Sequence, residues 1–329
     1  MADLKVGTVG HWHNLSPILA TFRLMPASGS RFPDYVAGQY IALRRDDCRL
    51  TKRIVGEDGL PRYVTDLDTL GKAKRGAVTH SYSIASAPFE TAEKGCLEFY
   101  VILEQDERGE PGRLTESMFR IDPASDSTIT YVNRIVGDFT LPKRASGFRS
   151  VVWVGTGTGV APFVSMIKQL HFNASHGGTT DGVQYTLLHT NRTREELGYH
   201  EELVEIEADR RLDFVYIASV SRPTSRDLQD PGIGRGRANN VLRSVLEMPL
   251  KEQQDLDEAV ASGEDSSRRR AALEKVTAPA LPRHITQSEL RQRLEPARTV
   301  ILTCGNPSLM ADIKFVADSR HIHFEKEDW

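Results

Sequence analysis

The chain has 329 residues, with 42 Lys and Arg against 45 Asp and Glu and a formal net charge of −3. That length favours two domains with ample cores, and the mildly acidic balance gives no ground for nucleic acid or an anionic membrane as a general partner. No apolar stretch is long enough for a membrane-spanning helix, and the opening residues MADLKVG lack the basic and apolar regions of a secretion signal, so a cytoplasmic protein without membrane insertion is expected; a monomer is expected as well.

Up to about Leu141 the chain reads as all-β. Residues 19–25 and 40–43 are strand-like, and 81–85, 96–103 and 127–132 follow, separated by Gly, Pro, Asp and Lys clusters. Short strands punctuated in this way predict a small antiparallel barrel. Between Arg44 and Ala77 the alternation fails, and a long irregular excursion from the barrel is expected. Within the barrel segment, THSYSIASA at residues 79–87 offers Tyr82, an aromatic with a polar tip, and Ser83 close behind it. An aromatic that lies on a flat heterocycle beside a hydroxyl that reaches its edge suits a flavin; a strand alternating between core and surface is the other reading. Gly112, Arg113, Leu114 and Thr115 precede Met118 and Phe119, a turn and short helix that would offer free N–H groups to a phosphate.

From Phe148 the pattern changes, which puts the boundary near residues 142–147 and gives domains 1–144 and 145–329. Residues 151–154 form an apolar run suited to a strand buried on both faces. Gly155, Gly157 and Gly159 then allow a tight turn that leaves room for a bulky anion. Pro162 suits the first turn of a helix, and Phe163, Met166, Ile167 and Leu170 recur at helical spacing. Strand, glycine turn and helix N-terminus together make a phosphate-binding device. The spacing is G-x-G-x-G rather than G-x-G-x-x-G, and no acidic residue follows at the usual offset, so packing remains the alternative role for the glycines. Strands at 183–189, 212–220 and 299–303 and helices at 194–206 and 307–317 complete an alternating pattern that predicts a parallel sheet with helices on both faces.

Three further features belong to this half. Cys304 ends the last of those strands, ahead of Gly305, Asn306 and Pro307; it lies where open α/β sheets bind ligands, or it is a buried bystander. Arg192, Arg194, Ser221, Arg222, Arg235 and Arg237 follow strand ends, with no Asp or Glu read at those ends. Arginine forks there would favour a ribose bearing a 2′-phosphate. Residues 251–275, KEQQDLDEAVASGEDSSRRRAALEK, are dense in charge and read as a solvated helix or mobile loop, within an insertion at about 250–278.

Taken in order, HSYS at residues 80–83, GTGTGVAP at 155–162 and CGNPSLM at 304–310 resemble the ferredoxin/flavodoxin–NADP reductase family, bacterial-type branch. The ending FEKEDW adds weaker support, and the likeness runs from Gly38 through the tail. The resemblance implies an all-β antiparallel Greek-key barrel that binds FAD, followed by an α/β parallel, five-stranded-type sheet that binds NADP(H). It implies that Tyr82 and Ser83 contact the flavin ring, with His80 and Ser81 beside them, that Phe99, Tyr100 and Val101 line it, and that Gly112, Arg113, Leu114 and Thr115 hold its pyrophosphate. Gly155, Thr156, Gly157, Thr158, Gly159 and Pro162 would hold the nucleotide phosphates. Arg192, Ser221, Arg222 and Arg237 would take the 2′-phosphate, and Cys304, Gly305 and Met310 would flank the nicotinamide. Ser83, Cys304 and Glu325 or Glu327 would fix the ring geometry, and Trp329 would cover the flavin or its adenine. The implied reaction is hydride exchange between NADPH and flavin, coupled to one-electron exchange with a ferredoxin or flavodoxin-like carrier. A reductase serving one oxygenase and a non-catalytic nucleotide-binding relative are the alternatives.

Three departures from the family pattern stand out. His80 replaces the usual Arg that pairs with the FAD pyrophosphate. A histidine is only partly charged at neutral pH, so weaker or pH-dependent FAD retention is expected unless Arg75 or Arg113 compensates. Asp328 stands where a tyrosine is common. The stretches 44–77 and 250–278 look inserted. The three cysteines, Cys48, Cys96 and Cys304, have no iron–sulfur, metal or disulfide spacing.

Overall fold

The computed structural model describes residues 3–56, 59–106, 109–122, 124–178 and 182–327. They form two compact units, Met1–Gly137 and Asp138–Trp329. In the first, the strands are β1 (Leu4–Ser16), β2 (Leu19–Met25), β3 (Tyr40–Arg49), β4 (Thr51–Val55), β5 (Pro61–Thr65), β6 (Arg75–Ser83), β7 (Leu97–Ile102) and β8 (Thr128–Val136), with helices α1 (Pro88–Lys94) and α2 (Arg113–Met118). Six of the strands make one antiparallel sheet in the order β6-β3-β8-β1-β2-β7. The sheet curls into the expected barrel: beyond β6 the Ala85 N–H donates to the Glu98 carbonyl on the far edge at 2.8 Å.

Alternation builds the interior. In β2, Ala20, Phe22 and Leu24 are all fully buried. Trp12 stacks on Phe22 at 5.3 Å and Phe22 on Phe99 at 5.1 Å, an aromatic row worth about 0.5–1.5 kcal/mol per pair beyond the area it buries. β1 carries no strong hydrophobic pattern and is absent from the sequence expectation. It is held by its neighbours: a Cβ on Gly7 would lie 2.5 Å from the Met25 carbonyl oxygen, so glycine lets β1 press against β2.

The excursion at 44–77 is shorter and more regular than expected. β3 continues to Arg49, and inward positions after Ile41 and Leu43 are taken by Arg45 and Cys48, with a register shift between these two. Arg45 hides the pattern because it is charged yet only 7% exposed. Its guanidinium donates to Ser117 Oγ at 3.0 Å, the Thr128 carbonyl at 2.5 Å and the Asp126 carboxylate at 2.9 and 2.5 Å. β4 and β5 then form a separate hairpin, on which Val55, Leu60 and Tyr63 are exposed.

The second unit contains α3 (Leu141–Arg144), β9 (Ser150–Thr156), α4 (Ala161–Ser175), β10 (Gln184–Asn191), α5 (His200–Asp209), β11 (Asp213–Val220), β12 (Gly234–Arg235), α6 (Ala238–Val245), α7 (Lys251–Ser262), α8 (Ser267–Glu274), α9 (Gln287–Arg293), β13 (Thr299–Cys304), α10 (Pro307–Ser319) and β14 (His323–Lys326). The sheet is wholly parallel, in the order β12-β11-β10-β9-β13-β14. β9 and β13 are buried almost throughout, as strands covered on both faces must be. The chain leaves β9 toward β10 on one side and returns as β13 on the other. The loops after β9 and β13 therefore diverge at a topological switch point, where open α/β sheets bind ligands.

Three elements depart from expectation. The helix foreseen at 194–206 is a short 3₁₀ turn at Arg194–Glu196 followed by α5 from His200, because Tyr199 sits at φ 64°, in the left-handed region. The charged stretch is neither a single helix nor a loop. It is the pair α7 and α8, with Gly263 at φ 72° ending α7. The helix α6 escapes the sequence reading because a buried charge interrupts its apolar face: Arg243 is 0% exposed and pairs with Asp312 of α10 at 2.9 and 2.5 Å.

Candidate functional site

Where β9 ends, the three glycines have different duties. A Cβ on Gly155 would lie 2.9 Å from the Val160 Cα, and one on Gly159 would lie 2.3 Å from the Cys304 carbonyl oxygen. These two glycines let the turn close on itself and on the end of β13. Gly305, at φ +134°, does the same from the other side, where a Cβ would fall 2.3 Å from Thr156 Oγ1. Gly157 differs. It has φ +55° and open space where a Cβ would stand. The 3₁₀ turn Gly157–Val160 runs into α4 with no side chain capping either. Thr156, Gly157 and Thr158 are half-buried, whereas Pro162 is buried in the first turn. An uncapped helical start behind an open glycine suits a phosphate. The α10 start is by contrast already closed, because Asn306 Oδ1 accepts from the N–H groups of Ser308 and Leu309, and Met310 is buried.

Cys304 and Gly155 are register partners across β13 and β9, which sets the thiol beside the turn. Cys304 is fully buried, and its Sγ–H donates to Glu327 Oε2 at 3.0 Å. Burial, then the Glu327 carboxylate, pushes the thiol well above its ordinary range, so it is a protonated donor and not a thiolate nucleophile. Glu325 was the acid expected here, with Glu327 as its alternative. The structure gives Glu325 to Arg144 at 2.7 Å and to His323 at 3.1 Å. Register explains the swap. β14 pairs Glu325 with Leu302 and Lys326 with Thr303, so the next residue, Glu327, comes level with Cys304. Its N–H donates to the Thr303 carbonyl at 3.1 Å. Trp329 lies outside the described residues, as does Asp328.

The arginine cluster is gathered, though three of its members are already paired with acids. The Ser221 N–H donates to the Asn191 carbonyl and the Arg222 N–H to the Arg192 carbonyl, at 2.9 and 2.8 Å, so the ends of β10 and β11 stand side by side. Arg192 is held by Glu196, with Nε to Oε2 at 2.8 Å. An acid therefore does stand at that strand end, contrary to expectation; it sits four residues past the arginine and reaches back through the 3₁₀ turn. Arg194 is taken by Glu201 at 2.6 Å and Asp230 at 3.4 Å, and Arg237 lies 3.4 Å from Glu252. Arg222 and Arg235 are exposed, with no carboxylate partner among the described residues.

In the barrel unit, His80 faces solvent near the end of β6, opposite Leu43. Ser81 is exposed, Tyr82 lies half-buried against the core, and Ser83 is buried. Burial, then the charge of Glu104, raises the Tyr82 phenol, which therefore stays a neutral hydroxyl. Phe99 and Val101 point into the core; they are scaffold for the strand, not its lining side chains. Tyr100 lies between them and is also buried. Gly112 caps α2 without a side-chain bond, and a Cβ there would be 2.9 Å from Thr115 Oγ1. Leu114 and Thr115 are buried, and half-buried Arg113 has no acid partner among the described residues. Arg75 donates to the Asp47 carbonyl at 2.7 Å.

Known proteins agree with this layout. Residues 153–265 match the oxidoreductase NAD-binding domain family. Methane monooxygenase component C of Methylosinus trichosporium is 32% identical over 191 residues, 58% of this chain and 48% of that protein. The flavodoxin/ferredoxin–NADP reductase of Buchnera aphidicola subsp. Baizongia pistaciae is 25% identical over 172 residues, 51% of this chain and 61% of that protein. The chain thus spans about half to three fifths of the length of these curated relatives. Among solved structures, a ferredoxin NADP+ reductase from Neisseria gonorrhoeae with bound FAD and NADP has a TM-score of 0.57 at 18% identity, covering 99% of both chains. The Amycolatopsis cytochrome P450 reductase GcoB has a TM-score of 0.57 at 16% identity, covering all of this chain and 71% of that one. At such identities the likeness speaks for the fold.

A curled antiparallel sheet followed by a parallel sheet with an open glycine turn at its switch point is the ferredoxin reductase-like fold. The match to the oxidoreductase NAD-binding domain falls within the second of these units.

Proposed function

We propose that this protein is an FAD-dependent NADPH reductase that exchanges electrons with a separate small redox protein of the ferredoxin or flavodoxin class. When bound, the flavin and nicotinamide supply hydride chemistry between flavin N5 and nicotinamide C4. The observation that carries the reading is the pairing of the open glycine turn with the buried Cys304–Glu327 donor at one switch point. In this reading, Gly157 and the start of α4 bind the nucleotide phosphates, and Arg222 takes the 2′-phosphate. Glu327 holds the Cys304 thiol in one orientation, so that its bulk and its bonded proton position the nicotinamide face. In the barrel unit, Tyr82 supports the flavin ring, Ser83 offers a hydroxyl at its edge, and Arg113 with His80 neutralises the pyrophosphate.

The test is an anaerobic titration of the FAD-loaded protein with NADPH and then NADH, followed by absorbance. Bleaching of the yellow colour by NADPH supports the reading. A protein that binds no added FAD would instead be a non-catalytic relative. A second reading is favoured by the match to methane monooxygenase component C: a reductase that serves one terminal oxygenase. Swapping carrier proteins in a cytochrome reduction assay separates the two, since a dedicated component would refuse simple ferredoxins and flavodoxins.

A further inference from the structure

The charged insertion is fastened at its start to α6 and at its end to the edge of the sheet where the arginines gather. At its start, the Lys251 N–H donates to Asn240 Oδ1 at 2.9 Å and the Asn240 amide donates to Glu252 Oε2 at 2.7 Å. Arg243 adds a bond to Gln254 Oε1 at 2.9 Å. At its end, the Thr277 hydroxyl donates to the Ser221 carbonyl at 2.7 Å. Arg235 and Ala280 then exchange main-chain bonds at 2.7 and 3.0 Å.

Between these fastenings, Glu252 Oε1 lies 3.4 Å from the Arg237 guanidinium. The two partners are unequal. The Glu252 side chain is 12% exposed and anchored by Asn240, whereas that of Arg237 is 62% exposed. The carboxylate is a fixed post, and the arginine is an arm resting on it. β11 lies two strand spacings from β9, about 10 Å, which is the reach from a pyrophosphate at the glycine turn to a ribose substituent at the end of β11.

We propose that Glu252, supplied by the insertion, sets selectivity between nicotinamide nucleotides with and without a 2′-phosphate; this rests on the nucleotide reading given under Proposed function. A 2′-phosphate competes with Glu252 for the Arg237 guanidinium, and it shares its surroundings with a fixed negative charge. A ribose 2′-hydroxyl makes no such demand and meets no such repulsion. The insertion therefore lowers the advantage that Arg222 and Arg237 would otherwise give the phosphorylated coenzyme.

The experiment is calorimetric titration of the full chain with 2′,5′-ADP and with 5′-AMP, for the native protein and for Glu252→Gln. In that variant the new amide oxygen can still accept from Asn240, so the anchor survives while the charge goes. Affinity for 2′,5′-ADP is expected to rise about three- to fivefold, and the ratio of the two affinities with it, on the scale of a partly exposed ion pair. Arg237→Gln should weaken 2′,5′-ADP binding, and adding Glu252→Gln to that variant should then give a smaller gain than in the native background, because only the repulsion is left to relieve. Equal tightening of both nucleotides, or no change for 2′,5′-ADP, overturns the role of Glu252 and leaves the nucleotide site standing. Failure of the native protein and every variant to bind either nucleotide overturns both.

Discussion

Single residues decide how charge is used in this chain. Cys304 and Glu327 are buried together, and each limits what the other can do. Glu327→Gln is expected to lower kcat by about 10-fold or more while moving KM less, because it removes a positioning charge and not a coenzyme contact; steady-state kinetics with NADPH would check this. Arg222→Ala should raise KM for NADPH well above that for NADH, and equal effects on both would remove it from the 2′-phosphate site. His189 offers a test of stability. It is fully buried, its Nδ1 pairs with the Tyr216 hydroxyl at 3.2 Å, and its Nε2 has no hydrogen-bond partner among the described residues. Burial, then the charge of His200, lowers its pKa to about 3. Between that value and the ordinary histidine range near 6.5, the unfolded chain binds a proton that the folded chain refuses. Stability then rises with pH across that window, by up to about 1.4 kcal/mol per unit, and the contribution is constant above it. His189→Asn should flatten the slope of unfolding free energy between pH 5 and neutrality, as measured with urea.

At the scale of elements, two close approaches hold the α/β unit in shape. Gly159 lets the turn after β9 touch the end of β13. Gly159→Ala would drive a methyl into the Cys304 carbonyl and should cost about 1–3 kcal/mol, with weaker nucleotide binding read by calorimetry. The Arg243–Asp312 pair ties α6 to α10, and both side chains are buried. Asp312→Asn leaves a buried guanidinium without its counter-charge and should lose about 3–5 kcal/mol in urea unfolding. Arg45, Asp47, Ser117 and Asp126 do similar work in the barrel unit, tying α2 to β3. Burial would raise the Asp47 carboxyl, but the Ser117 hydroxyl and Arg120 outweigh it and hold the pKa at about 2. That contribution is present above the usual aspartate range near 3.8 and is lost as pH falls toward 2.

For the molecule as a whole, each unit has its own core and, in the proposed reading, its own nucleotide to bind. FAD should slow amide exchange in β6 and around Gly112, and NADP+ should slow it in the turns after β9, β10 and β11. Protection confined to other segments would contradict the assignment of cofactors to units. The same division explains what could be foreseen. The six-residue and longer strands with plain alternation, β2 and β7 among them, stood out, as did β9, β10, β11 and β13, because a buried sheet demands runs of apolar residues whatever lies around it. Elements that bury a charge did not stand out: α6 carries Arg243 and the far part of β3 carries Arg45. Their partners, Asp312 and Asp126, are 69 and 81 residues away in sequence.

The sequence by itself determined the order of the two units and the glycine turn, because these depend on local backbone freedom and on periodicity. Only the tertiary structure decided which charges remain for a ligand. Arg192 and Arg237 looked like free cations until folding set Glu196 and Glu252 beside them, and Glu327 took the contact with Cys304 while Glu325 turned to Arg144. Electrostatic interaction depends on distance through space, and distance along the chain says little about it.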